Sequence, residues 1–126
     1  MPKSIPPVTS GPKPVGPYSV ATEANGFVFV SGQVGIDPTT NASIGDDVIT
    51  QATQVMKNIG AILGDVGLGF DDIVKTSIFL ADIGDFAAVN EVYGRHFGEQ
   101  PPARSTFQAA GLPKGYLVEI EVVAAR

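Results

Sequence analysis

The spacing of apolar residues changes along the chain from a helical to a strand period and back. Val48, Ala52, Val55, Met56, Ile59, Ile62, Leu63 and Val66 recur at steps of three and four, which predicts one helix with a single apolar face. Met56 falls in that stripe and reads as core. Asp46 or Asp47 is placed to cap the helix and Gly67 to stop it. A second stripe, Phe86, Val89, Asn90, Tyr93 and Phe97, predicts a helix capped by Asp85 and ended by Gly98, with Pro101-Pro102 forbidding its restart. The β-type runs lie around these helices. Phe27 to Ser31 follows the turn Asn25-Gly26, so a first strand at Tyr18–Ala21 and this one form a hairpin. Ile73 to Leu80 is nearly continuous in apolar and β-branched residues and predicts a strand. Arg104–Ala109 and Leu117–Ala124 supply two more, joined by the turn Gly111 to Gly115, which places Arg104 and Glu119 on neighbouring strands of a long hairpin. In the last strand, alternation sets Leu117, Glu119, Glu121 and Val123 on one face and Val118, Ile120 and Val122 on the other.

The predicted order is β-β-α-β-α-β-β. That order describes an α+β layer: one mixed β-sheet packed by two helices on one face. The connection through the first helix is a right-handed crossover if the strands it joins are parallel. The other face is left open. With Leu117, Val123 and two glutamates on it, it is a poor solvent surface, and cover by another subunit is expected. Residues 1–17 hold six of the ten prolines and read as an extended arm on a single domain spanning 1–126. Gly32 and Gly35, close behind a strand, point to a bulge or tight backbone approach, and without the spacing of a phosphate loop they do not suggest nucleotide binding. Asp37 to Asn41 reads as a turn.

Composition narrows the function. Cysteine is absent, which removes disulfides, thiol nucleophiles and thiolate metal sites. The single histidine excludes a zinc site built mainly on imidazole, so no metal and no cofactor are expected. His96, near the end of the second helix, reads as a structural imidazolium facing the helix dipole. A net charge of -5 with scattered Lys and Arg lacks the footprint of a nucleic-acid binder. No apolar run approaches a membrane span, and MPKSIPPVTSGPKP has no signal-type apolar stretch. A cytoplasmic protein is the expectation.

The chemistry concentrates in Pro101 to Val123. Arg104 sits inside one probable strand, and Glu119 and Glu121 sit inside the apolar last one. Burying an unpaired charge costs several kcal/mol or more. Opposite charges in two such segments therefore suggest a site that holds an anion beside a carboxylate. Arginine suits a small carboxylate through its planar fork, and a nearby glutamate can hold and deprotonate a water. Tyr18, after the proline arm, offers a hydroxyl. The plainer readings are a structural Arg104–glutamate ion pair and an amphipathic surface tyrosine.

Pro102-Ala103-Arg104-Ser105, the apolar Phe107, Gly111-Leu112-Pro113-Lys114 and Val118-Glu119-Ile120 together resemble the C-terminal signature of the RidA (YjgF) family of enamine/imine deaminases. Gly16-Pro17-Tyr18, Ser31-Gly32-Gln33, Asp72 to Thr76, Asp85-Phe86 and Val89 to Tyr93 resemble family segments in the same order. The resemblance implies a chorismate-mutase-like fold and a homotrimer whose sheets line a central β-barrel, with clefts between subunits. It implies hydrolysis of reactive 2-imino acids, such as 2-iminobutanoate and 2-iminopropanoate, to 2-oxo acids and ammonia. In that light Arg104 matches the family's carboxylate-binding arginine and Glu119 the glutamate that positions water. Tyr18, Ser31 and Gly32 match cleft positions, and Asn90 and Tyr93 resemble helix positions near the cleft. Many deaminase members have cysteine two residues after the arginine. Here Thr106 stands there, so a thiol role is lost while one for its backbone carbonyl survives. A small-carboxylate-binding trimer without catalysis is the alternative, and an endoribonuclease, suggested by older naming of the family, is disfavoured by the acidic charge.

Overall fold

The computed structural model describes residues 2–126. The main sheet has five strands: β1 (Ala21–Ala24), β2 (Phe27–Gln33), β5 (Ile73–Leu80), β6 (Ala103–Gln108) and β7 (Val118–Ala125), in the order β1-β2-β7-β5-β6. Two short strands, β3 (Ile36–Asp37) and β4 (Ala42–Ser43), form a separate hairpin around the turn expected at Asp37 to Asn41. The sheet is mixed, because β5 and β6 are parallel while β1–β2, β2–β7 and β7–β5 are antiparallel. β2 and β5 therefore run the same way with β7 inserted between them.

Helix α1 (Val48–Asp65) follows the apolar stripe read from the sequence. Asp47 caps it by accepting from the Thr50 amide at 3.1 Å, and Gly67, at φ +80°, takes the left-handed turn after its end. Ala52, Val55, Met56, Ile59, Ile62 and Leu63 are buried against the sheet. Complete burial of one Ile or Leu side chain stabilises by about 1.5–3 kcal/mol. The partners on the sheet are Val28, Val30, Ile78, Leu80, Val118, Ile120, Val122 and Ala124. The alternation in β7 thus holds, with Val118, Ile120 and Val122 inward and Glu119, Glu121 and Val123 on the opposite face. That face also carries exposed Phe27, Phe29 and Phe107.

Four expectations are corrected. The first strand begins at Ala21, not Tyr18, because Gly16 to Tyr18 forms a turn in which the Tyr18 amide donates to the Gly16 carbonyl at 2.9 Å. Helix α2 covers Phe86–Gly94, shorter than the stripe to Phe97, and the Asp85 side chain makes no capping bond. His96, beyond its end, stacks on Phe70 with centroids 4.6 Å apart. Burial and the neighbouring Arg95 charge lower its pKa, so the neutral ring is favoured over the expected imidazolium. Finally, β6 and β7 are not neighbours: β5 lies between them, and the long hairpin does not exist.

The proline arm is tied down at several points. Ser4 and Glu23 exchange two backbone hydrogen bonds of 2.9 Å, extending the sheet beyond β1. Asp65, at the end of α1, accepts from the Thr9 and Ser10 amides and the Ser10 hydroxyl at 2.7–2.9 Å.

Candidate functional site

Both glycines behind β2 are close-approach positions. A Cβ at Gly35 would lie 2.9 Å from the Gln51 backbone of α1, and a Cβ at Gly32 would overlap the Glu119 carboxylate. The irregularity lies in β2, where pairing with β7 shifts register between Val30 and Gln33. This shift lets the carboxylate rest over residue 32. Glu119 is half-buried. Desolvation, and secondarily the Glu121 charge, raise its pKa above the ordinary glutamate value.

A cavity of about 380 Å³ opens at this carboxylate. Tyr18, Ser31, Gly32, Glu119 and Glu121 line it, together with Lys114 and Tyr116. The Ser31 hydroxyl is already committed to the Ser19 carbonyl at 2.6 Å. The Tyr18 hydroxyl accepts from the Val15 amide at 3.4 Å. Four residues expected at the site, Tyr18, Ser31, Gly32 and Glu119, thus come together here.

The other four, Asn90, Tyr93, Arg104 and Thr106, gather elsewhere. Arg104 pairs in register with Thr76 of β5, whose buried hydroxyl bonds the Tyr93 hydroxyl at 2.7 Å. Arg104 therefore leaves the sheet on the helix side. Its Nη1 donates to Asn90 Oδ1 at 2.7 Å, and its guanidinium lies over the rings of Phe86 and Tyr93, at 5.5 and 5.1 Å from their centroids. Among the described residues, the Nε–Nη2 edge of Arg104 has no hydrogen-bond partner. Thr106, two residues along the same face of β6, has a buried hydroxyl oxygen that also lacks one.

Within one chain, then, Arg104 and Glu119 form no ion pair. Sequence reading missed Phe86 as a partner of Arg104, and missed Lys114 and Tyr116 at the cavity. The signal for Phe86 was present: a polar Asn90 inside an otherwise apolar helical stripe marks that face as more than core. Lys114 and Tyr116 lie in a turn, where spacing carries no direction. Among the described residues no three His, Asp or Glu side chains converge as a metal site, and no helix is long and apolar enough to cross a membrane.

Comparison with known proteins gives a consistent result. The family model described as Endoribonuclease L-PSP matches residues 8–126. A human protein named 2-iminobutanoate/2-iminopropanoate deaminase is 44% identical over 90% of this chain and 82% of its own length. A Yersinia pestis structure described as a Rid family protein of unknown function, YyfA, superposes with a TM-score of 0.95 at 44% identity, covering 99% of this chain and all of that one. The crystal structure of Escherichia coli TdcF with bound serine superposes with a TM-score of 0.91 at 38% identity, over 98% of each chain.

Proposed function

Because the chain belongs to the RidA (YjgF) family, whose model carries the Endoribonuclease L-PSP description, we propose that it is a cofactor-free deaminase that hydrolyses 2-imino acids to 2-oxo acids and ammonia. The carrying observation is a complementary pair: an arginine edge without a partner and a half-buried carboxylate with a raised pKa, both held by close packing. The free Nε–Nη2 fork of Arg104 takes the substrate carboxylate through two parallel charge-assisted bonds. Glu119 accepts a proton from water as its oxygen bonds to the imine carbon. Glu119 passes that proton to the imine nitrogen to give a carbinolamine, then moves the hydroxyl proton to the same nitrogen, so that the C=O forms as the C–N bond breaks and ammonia leaves. Orientation is the main lever, because an imine is already reactive.

The two halves work as one site only if they come from different copies. The reading therefore includes a homotrimer with the site in each subunit cleft, where Tyr18, Ser31, Gly32 and Glu119 of one copy face Arg104, Asn90, Tyr93 and Thr106 of the next. Support comes from the uncovered sheet face, where Phe27, Phe29 and Phe107 are each more than two-fifths exposed. Light scattering on a size-exclusion column should report three times 13.1 kDa. A monomer at micromolar concentration removes the shared cleft.

A second reading, a trimer that binds small carboxylic acids without turnover, is favoured by the bound serine of the Escherichia coli relative. One experiment separates them. A dehydratase generates 2-iminobutanoate in the presence of semicarbazide, and the protein competes with the trap. Faster formation of 2-oxobutanoate supports the deaminase. No competition, with clear calorimetric binding of 2-oxobutanoate, supports the binder. Cleavage of RNA by the purified trimer, with neither, would return to the family model's description.

A further inference from the structure

We infer that Phe86 and Thr76 are positioning residues for the anion seat at Arg104: Phe86 by holding the guanidinium plane, Thr76 by fixing the Tyr93 ring against it. The inference rests on the reading that Arg104 receives the ligand's carboxylate.

An arginine side chain has about 2 kcal/mol of rotamer entropy to lose, so a fork that must meet a carboxylate bidentately gains from being held beforehand. Three groups hold this one. Asn90 takes Nη1 in a 2.7 Å hydrogen bond, which fixes one edge. Phe86 and Tyr93 lie beneath the guanidinium and restrict its plane. The edge that remains is Nε–Nη2, the one suited to a forked anion.

Each aromatic shows a feature that core packing does not explain. Phe86 is 39% exposed and stands outside the buried cluster, at the first residue of α2. Its position over Arg104 is its visible engagement with a charged group. Tyr93 is buried, and its hydroxyl faces inward to Thr76 rather than to the guanidinium edge. Tyr93 therefore offers Arg104 a ring face while its hydroxyl serves as the anchor. Thr76 is itself the register partner of Arg104. Strand pairing, the Thr76–Tyr93 bond and the Tyr93–Arg104 contact close a loop of three residues, so the backbone that carries Arg104 also fixes the ring that orients it.

Isothermal calorimetry of 2-oxobutanoate with the intact protein, alongside melting temperatures, tests this. Phe86→Leu is expected to weaken binding about three- to thirtyfold with little change in melting temperature, and Phe86→Trp to keep it. Thr76→Val should also weaken binding, by leaving the Tyr93 hydroxyl buried without its partner, and Thr76→Ser should restore it. A second readout needs no ligand. The Arg104 Nε–H resonance should be shifted by ring currents in the wild type and move toward the ordinary arginine position in Phe86→Leu. This readout stands even if the wild type neither turns over imines nor binds 2-oxo acids, which separates failure of this inference from failure of the deaminase reading. An unshifted wild-type resonance overturns the inference. So does affinity that falls only in step with melting temperature and is not rescued by tryptophan or serine.

Discussion

Arg104 and Glu119 stand on opposite faces of the same sheet, with β5 between their strands. Thr76 pairs with Arg104 on the helix side, and Phe79 pairs with Glu119 on the uncovered side. Rotamer changes do not carry a side chain through a sheet. A site built from both Arg104 and Glu119 thus needs two copies of the chain. Mixing Arg104→Ala and Glu119→Gln subunits by denaturation and refolding should therefore restore imine turnover that neither variant has alone. Random assembly leaves roughly a quarter of the clefts with both wild-type residues. Turnover that stays at the level of the separate variants would mean that Arg104 and Glu119 do not share a site.

The proposed carboxylate seat predicts that the arginine's geometry matters more than its charge. Arg104→Lys keeps a cation but loses the fork, and it should be nearly as damaging as Arg104→Ala. Loss of one or two charged hydrogen bonds at about 1.5–3 kcal/mol each corresponds to roughly 10- to 10⁴-fold in kcat/KM. Steady-state kinetics with the trap assay measures it, and a lysine variant with most of its activity would locate the substrate carboxylate elsewhere.

Glu119 must be ionised to act as a base, and its pKa is raised, by desolvation first and the Glu121 charge second. Activity is therefore expected to fall as pH drops through a value above the ordinary glutamate figure of 4.5. Glu121→Gln removes the like charge and should move this acid limb downward, while Glu119→Gln should cost about 10²–10⁴-fold above the limb and abolish the limb itself. A pH profile of kcat/KM read on the three proteins decides this. An acid limb that Glu121→Gln leaves in place would mean the limb belongs to another group.

The close approach at Gly32 predicts a specific failure. Gly32→Ala inserts a methyl where the Glu119 carboxylate lies, so the carboxylate must move. The displaced group is the flexible end of Glu119 at an open cavity, so melting temperature should fall only slightly while turnover drops. Shortening the acid in Gly32→Ala/Glu119→Asp should recover part of the lost melting temperature. No effect of Gly32→Ala on either quantity would mean that the carboxylate is free to sit elsewhere.

Asp65 latches the proline arm. Its pKa is lowered, chiefly by the Ser10 hydroxyl and then by the Ser10 and Thr9 amides. A lowered carboxylate contributes stability that is present above the unfolded value of 3.8 and is lost as pH falls through the folded one. Asp65→Ala should lower the hydrogen-exchange protection factors of the Thr9 and Ser10 amides at neutral pH, and protonation of Asp65 in acid should do the same to the wild type once the slower intrinsic exchange is divided out. Unchanged exchange in the variant would show the arm held by its other ties, such as the Ser4–Glu23 pairing.

What the sequence determined by itself was local. Periodicity fixed α1, because eight apolar residues at helical spacing have one way to be buried together, and it fixed which residues of β7 face the core, because a strand's side chains alternate. Short-range chemistry narrowed the cap to Asp46 or Asp47, of which Asp47 caps, and marked Gly32 and Gly35 as places of a bulge or close approach. The residue types of the candidate site, an arginine and a glutamate in apolar strands, were also legible. The tertiary structure alone decided where these residues stand relative to one another. Chain order brings β6 and β7 together through a turn, but the parallel pairing of β6 with β5 wins and inserts a strand between them. That pairing sets Lys75–Leu80 in register with Ala103–Gln108, residues 28 positions apart in the chain. No local pattern records it, and it is what sets Arg104 and Glu119 on opposite faces of a sheet instead of side by side on one hairpin.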